Sequence, residues 1–511
     1  MARVDPNPLN RTVRFMNLQA PSLTRTRTRW SSASTDDQFV VQNPATGRTV
    51  TVVQGAGPEE VDQAVRRAHA AHLNWKQRPA RERGRYLRQI AEVIRAHADE
   101  IAALETLEMG KPITQARNFD VEVAIAIFEY FGGLVEALPS QARDYGPVLD
   151  VTTLEPYGVI ACIVPFNWPP IHTAGKIAPA LAVGNAVVLK PPEQTPSVVL
   201  RMVELIQSVL PDHVVQAVPG KGEVGAALAG HRLVGKVSFT GSPRTGAAVL
   251  RTAAGNLTPA LMELGGKNPL VVFDDADRHE ALLAAVDGGF FNQGEACTAA
   301  SRILVQQSVY EEFEEKLCTA VSRLRVGDGA DPATDVGPLV TRKQQKQVLD
   351  YLRIGVAEGA RIAAQAPLPE DPRLADGFYV PPTVLTDVTP AMRVARDEIF
   401  GPVVTLIPFT DEDEAVRIAN ATPFGLVAAV FTQDGDRALR VSRRIRAGAV
   451  FVNNYHRISI GTGFGGVGHS GFGREHAQET LAEYGYTKTI RLAAKREELS
   501  YWSAAARVLA G

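Results

Sequence analysis

The passage MELGGKNPLVVFDDAD, from Met262 to Asp277, is followed by FFNQGEACTAASRILV, from Phe290 to Val305. The first run carries one carboxylate, Glu263, and the second one thiol, Cys297, each in a glycine-rich turn. Beside the turns stand Pro269 to Phe273 and Arg302 to Val305, short runs that read as strands buried on both faces. A thiolate adds to carbonyl carbon and a carboxylate deprotonates water, so the pair suits a reaction that forms a thioester and then hydrolyses it. The plain alternative is a buried structural cysteine and a surface acid.

Outward from this passage the same texture continues. Gly158 to Val164, Ala186 to Leu189 and Val237 to Phe239 are apolar, β-branched and followed by Ala-rich helical patterns, which implies a parallel sheet of βαβ units. Val403 to Pro408 and Ala428 to Thr432 extend the pattern downstream into a second α/β domain. Nearer the start, Asn43-Pro-Ala-Thr-Gly47 is a turn between strands Phe39 to Val41 and Thr49 to Val53. Pro58 opens a helix with Val61, Ala64, Val65, Ala68, His72 and Trp75 on one face, where His72 reads as a satisfied core residue. One longer helix is expected from Pro79 to Gly110, with Leu87, Ile90, Ile94, Ile101 and Leu104 along its stripe. No repeat or low-complexity linker interrupts the chain.

With 511 residues and 45% hydrophobic content the chain has material for two or three cored domains. Its 54 Lys plus Arg against 56 Asp plus Glu give a net charge of -2, which offers no electrostatic case for nucleic acid or an anionic membrane. Three scattered cysteines, Cys162, Cys297 and Cys318, form neither a disulfide framework nor a metal motif, so no metal is expected and a reducing compartment, the cytoplasm, is. No apolar run reaches membrane-spanning length. Residues 1–37 are Arg-, Ser- and Thr-rich and poor in acids, a composition that fits a disordered arm or a mitochondrial transit peptide.

Three further segments end strands where open α/β sheets hold ligands. They are Pro165-Phe-Asn-Trp-Pro169, Leu189-Lys-Pro-Pro-Glu193 and Phe239-Thr-Gly-Ser-Pro-Arg-Thr-Gly246. Ser242 is a good N-cap and Pro243 a good first helical residue, so the helix start offers N–H groups to a pyrophosphate. Gly220-Lys-Gly-Glu-Val-Gly225 spells GxGxxG, but no acid stands between Glu223 and Glu263 to serve as its ribose partner, so it reads as a strand-to-helix turn.

Glu263-Leu-Gly-Gly-Lys267 with Gly294-Glu-Ala-Cys297 resembles the paired signatures of the aldehyde dehydrogenase superfamily, and the resemblance runs from about Phe39 to about Leu492. It implies an NAD-dependent enzyme, with NADP the alternative, whose Cys297 attacks an aldehyde and whose Glu263 activates water. Asn167 and the Cys297 amide would form the oxyanion hole, with Lys267 setting local charge. Lys190, Glu193, Gly241, Ser242, Trp168, Glu398 and Phe400 would hold the cofactor. Trp168, Ile171, His172, Phe291, Ala296, Thr298, Ile458 and Phe464 would line the substrate pocket, which favours a medium-chain or aromatic aldehyde. His172, His456 and Arg457 leave a carboxylate-bearing semialdehyde open.

The resemblance also divides the chain. Residues 38–138 and 158–264 would bind the dinucleotide, 265–469 carry the thiol, and 139–157 with 484–495 form an arm for a homodimer or homotetramer, leaving 1–37 as an extension and 496–511 as a tail. Gly463 and Gly468 stand where the family has Pro and Lys, and Glu295 where it has Gln. A CoA-acylating relative is disfavoured because Glu263 is present. A cysteine hydrolase lacks a local signature around Cys297, and a silent structural protein would not keep the acting residues together.

Overall fold

A strand apolar on both faces must be covered on both sides, and two such sheets form the centre of the molecule. A computed structural model describes residues 38–138, 140–455, 458–493 and 502–509. The first sheet runs in the order Ala260–Glu263, Val234–Thr240, Val159–Ile163, Ala186–Lys190 and Val215–Ala217, all parallel. The short strand Gly471–Phe472 adds antiparallel to its Ala260–Glu263 edge, pairing Gly471 with Glu263. The second sheet runs Arg361–Gln365, Thr383–Thr386, Val403–Phe409, Arg302–Gln306, Pro269–Val272, Val427–Phe431 and Ala449–Val452, parallel except for the first. The strands expected from the sequence in both regions are therefore present, and the molecule is α/β.

The hairpin Gln141–Asp144 and Val148–Pro156 joins the late strand Gly485–Ala493 in a three-stranded antiparallel sheet. Gln38–Gln42 and Thr49–Gln54 pair around the expected Asn43 to Gly47 turn. The N-terminal extension, His456, Arg457 and residues 494–501 lie outside the described residues.

One expectation needs correction. The helix after Pro79 is two helices, Ala80–Ala96 and Ala98–Met109, broken at His97, whose φ of -113° and ψ of 19° leave the helical region. Its N–H turns back to the Ile94 carbonyl and its Nδ1 lies 2.9 Å from the Val93 carbonyl, which closes the first helix. His72 is the core residue expected, with Nδ1 3.0 Å from the Gly184 carbonyl.

The two sheets meet end to end. The first offers the carboxyl ends of its strands, just before Asn167, Glu193 and Ser242 and at Glu263. The second offers its amino ends, just after Lys267, Ser301 and Gly401. Arg302 fixes the seam from below. Its guanidinium is buried and donates to the carbonyls of Lys267 (2.9 Å), Ile418 (2.8 Å) and Ala419 (2.8 Å), the last two at the C-terminal end of the helix Glu412–Ala419. Burial lowers its pKa to about 9, and the negative end of the helix favours the cation. Arg302→Met would strip the Lys267 and Ala419 carbonyls of their guanidinium partner and leave Ile418 with backbone N–H partners only, Ala421 among them. Equilibrium denaturation should show a loss on the order of 3–5 kcal/mol, the range for stripping a buried polar cluster of its partner.

Candidate active site

Two glycines decide how closely the turn after Glu263 approaches its neighbours. A Cβ on Gly265 would lie 2.1 Å from Glu398 Oε2, and one on Gly266 would lie 2.5 Å from the Cys297 carbonyl. Any side chain at either position would drive the thiol loop or Glu398 away. Asn268 completes the junction: its Nδ2 donates to the carbonyls of Cys297 (2.8 Å) and Ala299 (2.9 Å), and its Oδ1 accepts from the Val427 N–H. Gly294, at φ +69°, passes so near Gly401 that a Cβ would meet its carbonyl at 2.2 Å. Asn292 and Gln293 also adopt positive φ, of 56° and 55°, a costly backbone for residues with side chains.

Within this junction Cys297 and Glu263 are both buried and adjacent. Burial, then the charges of Glu263 and Glu398, push the thiol well above its ordinary range. Burial and then Glu475 push Glu263 up as well, opposed by Lys176 and by the Cys297 thiol. No fully formed hydrogen bond reaches either Glu263 oxygen. The cation beside Glu263 is Lys176, whose Nζ donates to Glu475 (2.9 Å) and Ser238 (3.1 Å). The Lys267 amine instead has Arg302, Glu398 and Asp397 as charged neighbours, and burial lowers it to about 7. Sequence reasoning assigned no role to Lys176 or Glu475, although a lysine in the wholly buried helix Pro169–Val183 was a visible signal.

Asn167 lies in the turn after Val159–Ile163, buried, and its side-chain amide has no hydrogen-bond partner among the described residues. Its carbonyl accepts from Asn292 Nδ2 (3.0 Å) and Lys111 Nζ (3.2 Å). Trp168, Ile171 and Ala296 belong to one apolar cluster, with Phe291 and Ile458 packed against it. Trp168 stacks on Phe291 at 5.9 Å, and Phe119, a residue the sequence did not single out, meets both rings. Phe464 sits in the neighbouring cluster, 5.8 Å from the His476 ring. The Thr298 carbonyl accepts from Tyr455 OH at 2.6 Å. His172 is buried with neither ring nitrogen hydrogen-bonded, and burial, then Lys176, His476 and Lys111, hold its pKa well below the ordinary value. It is neutral.

A second group of residues lines the crevice between the sheets while remaining partly exposed: Phe166, Glu193, Gly241, Glu398 and Phe400, with Ser242 exposed. Ser242 Oγ caps its helix by accepting from the Thr245 N–H at 3.3 Å. Lys190 Nζ donates to the Pro191 carbonyl, close to Glu193 and Glu223. Glu398 accepts from the Gly266 N–H at 3.0 Å, which leaves acceptor capacity toward the crevice, and Phe400 meets Phe166 edge-on. Capped helix start, carboxylates and aromatic edge together fit a dinucleotide. The Gly220 to Gly225 run is the expected strand-to-helix turn; a Cβ on Gly220 would strike Val224 at 2.3 Å, and Gly225 packs on the Lys190 stem. A separate cavity of about 680 Å³ beside Arg48, Arg325 and Arg373 contains none of the residues named for the site.

A buried thiol and carboxylate thus stand together at the seam of two α/β sheets. The aldehyde dehydrogenase family profile matches residues 30–490, and the chain belongs to that family. It is 48% identical over 481 residues to aldehyde dehydrogenase citD of Monascus ruber, covering 94% of this chain and 96% of the relative. It is 42% identical over 449 residues to a betaine aldehyde dehydrogenase of Mesorhizobium japonicum, covering 88% of this chain and 92% of the relative. The crystal structure of betaine aldehyde dehydrogenase from Staphylococcus aureus in complex with NAD+ superposes with a TM-score of 0.89 at 36% identity, over 93% of this chain and 95% of that one. PnpE from Pseudomonas sp. WBC-3 superposes with a TM-score of 0.90 at 38% identity, over 93% and 98%. The class of activity is oxidation of an aldehyde.

The departures from the family pattern have local causes. Gly468 has a φ of +61° and passes the Pro423 carbonyl, and a Cβ on Gly463 would lie 2.3 Å from Glu479. Glu295 is fully buried and accepts from the Val340 N–H, and burial pushes its carboxyl well above the usual range, so it holds its proton to higher pH than an exposed glutamate. A raised pKa means the folded state holds a proton that the unfolded state releases, so stability is full below the ordinary carboxylate pKa and falls as pH rises toward the folded value. Glu295→Gln should therefore raise the melting temperature at neutral and alkaline pH, with the gain vanishing near pH 4, which is about the unperturbed value. A pH series of thermal melts checks this.

Proposed function

We propose that the chain oxidises a neutral medium-chain or aromatic aldehyde to its carboxylic acid, with NAD as the hydride acceptor. The observation that carries this reading is the buried Cys297 thiol set against Glu263 at the edge of the apolar cluster of Trp168, Ile171, Phe291, Ala296 and Ile458. The S. aureus relative crystallised with NAD+ supports the choice of acceptor.

In the proposed mechanism the proton of Cys297 Sγ passes to Glu263, and the sulfur bonds to the aldehyde carbon. The oxyanion so formed takes hydrogen bonds from the Asn167 side chain and the Cys297 N–H, each donor worth about 3–4 kcal/mol. Bound NAD supplies the site to which the hydride leaves. Collapse of the oxyanion expels that hydride and leaves a thioester on Sγ. Glu263 first releases the thiol's proton to solvent and, ionised again, deprotonates a water, which adds to the acyl carbon; the C–S bond breaks, Sγ recovers a proton from Glu263, and the acid departs. Glu193, Lys190 and the Ser242 helix start would hold the cofactor, and Glu398 and Phe400 would complete its site. The Glu193 carboxylate disfavours a 2′-phosphate, so NAD is preferred over NADP. The segments 139–157 and 484–495 build a homo-oligomer, with 38–138 and 158–264 the dinucleotide domain and 265–469 the thiol domain.

Cys297→Ala should abolish oxidation and retain NAD binding, while Cys162 and Cys318 variants stay active. Glu263→Gln should slow both stages, hydrolysis more than thioester formation because water is a far weaker acid than the thiol, so that a slowed burst of up to one reduced cofactor per site precedes a still slower steady state. Rapid-mixing absorbance resolves both; full turnover in either variant contradicts the mechanism.

The substrate preference follows from the charge state of the pocket. A neutral His172 gives no cation for a substrate carboxylate, and Trp168 already has Lys111 Nζ 4.4 Å from its ring centre and Phe291 stacked on it, which disfavours a quaternary ammonium. Each methylene buried should contribute about 0.8 kcal/mol, close to fourfold in kcat/KM, until the cluster is filled. Kinetics with hexanal and benzaldehyde against succinic semialdehyde and betaine aldehyde test this. A win for the semialdehyde that is lost in Arg457→Ala would reverse the assignment.

A further inference from the structure

Lys111, Glu105 and Asp120 are each fully buried, and the reaction as described uses none of them. Lys111 Nζ lies 2.6 Å from Glu105 Oε1 and 2.5 Å from Asp120 Oδ1. Its third hydrogen bond, at 3.2 Å, goes to the Asn167 carbonyl, and the ammonium stands 4.4 Å from the Trp168 ring centre. Three donors and one ring contact thus exhaust the cation, and two of those contacts fall on successive residues of the turn that carries Asn167.

Local backbone geometry delivers these groups. Gly110, at φ +81°, ends the helix Ala98–Met109 and turns Lys111 inward; a Cβ there would meet Pro338 at 2.6 Å. Residues Ala116–Asp120 form a π turn, a widened helical turn enriched at functional sites. The same π turn carries Asp120 to Lys111 and Phe119 to the rings of Trp168 and Phe291. On the opposite side, Asn292 Nδ2 donates to the same Asn167 carbonyl and also to the Glu295 carbonyl in the thiol loop. The Asn167–Trp168 peptide is therefore gripped from two directions.

We propose that Lys111, anchored by Glu105 and Asp120, is a positioning residue that sets the direction of the Asn167 side chain toward the reacting carbonyl. A peptide plane fixed by two donors at its oxygen and by a cation on the next ring leaves Asn167 little freedom in ψ, so the amide is held in place before the oxyanion forms. Lys111 touches neither substrate nor reacting atoms. The inference rests on Asn167 being the oxyanion donor.

The test is a double-mutant cycle of Lys111→Met and Asn167→Ala in the full chain, with kcat and KM for benzaldehyde, NAD affinity by fluorescence titration, and circular dichroism for the fold. Lys111→Met should lower kcat about 10²-fold, the scale of one misplaced oxyanion donor, with KM and NAD affinity within about threefold. In the Asn167→Ala background the same substitution should change kcat by less than about threefold. An equal loss in both backgrounds, or full activity in Lys111→Met, overturns the proposal. Full activity in Asn167→Ala instead overturns the oxyanion reading on which it rests. Should Lys111→Met fail to fold, Asp120→Asn, which keeps the cation but loosens its anchor, should lower kcat about tenfold with the same dependence on Asn167. An Asp120→Asn loss unaltered by Asn167→Ala again overturns it.

Discussion

The contact on which the arrangement depends is the close approach of the Gly265-Gly266 turn to Glu398 on one side and the Cys297 carbonyl on the other. Two sheets from distant parts of the chain meet there, the first by its carboxyl ends and the second by its amino ends. A seam of this kind leaves many backbone groups without ladder partners, and each must be satisfied in the interior. Asn268 and Arg302 do this with three donated hydrogen bonds to carbonyls of the turn and the thiol loop and two more to the end of the helix Glu412–Ala419. The reactive pair is rigid because its neighbours have nowhere else to pair.

Buried charge around this seam is partitioned rather than uniform. Lys176 faces Glu475 and Ser238 beneath Glu263, Lys111 faces Glu105 and Asp120 behind Asn167, and Lys267 faces toward Glu398. Each ammonium lies near a carboxylate of its own, so no free cation adjoins the thiol to depress its pKa. Burial and the neighbouring carboxylates hold the thiol well above its ordinary range, with Glu263 next to it.

Shape and polarity on the substrate side follow from the same partition. Aromatic rings at 119, 168 and 291 pack on each other, a neutral His172 stands behind them, and Lys111 occupies the Trp168 ring. A polar or charged aldehyde tail would give up water there without a partner of opposite charge. An apolar one gains by the transfer.

The sequence by itself determined the α/β class, the order of the buried strands, the glycine-bounded turns and the pairing of Glu263 with Cys297 in one site. Apolar runs without alternation must lie inside a parallel sheet, and a glycine pair beside a carboxylate marks close backbone approach; both are local constraints legible at short range. It did not determine the break at His97, which one backbone conformation creates within a continuous apolar stripe. Nor did it show that Lys176, not Lys267, accompanies Glu263, or that Lys111, Glu105, Asp120, Phe119, Asn268 and Asn292 converge on Asn167 and Cys297. Glu105, Lys111, Phe119 and Asp120 are about 50 residues from Asn167 and more than 170 from Cys297, and as residue types they are unremarkable. Only tertiary packing decides which buried charge finds which partner, because the cost of leaving one unpaired is set by the whole surrounding interior.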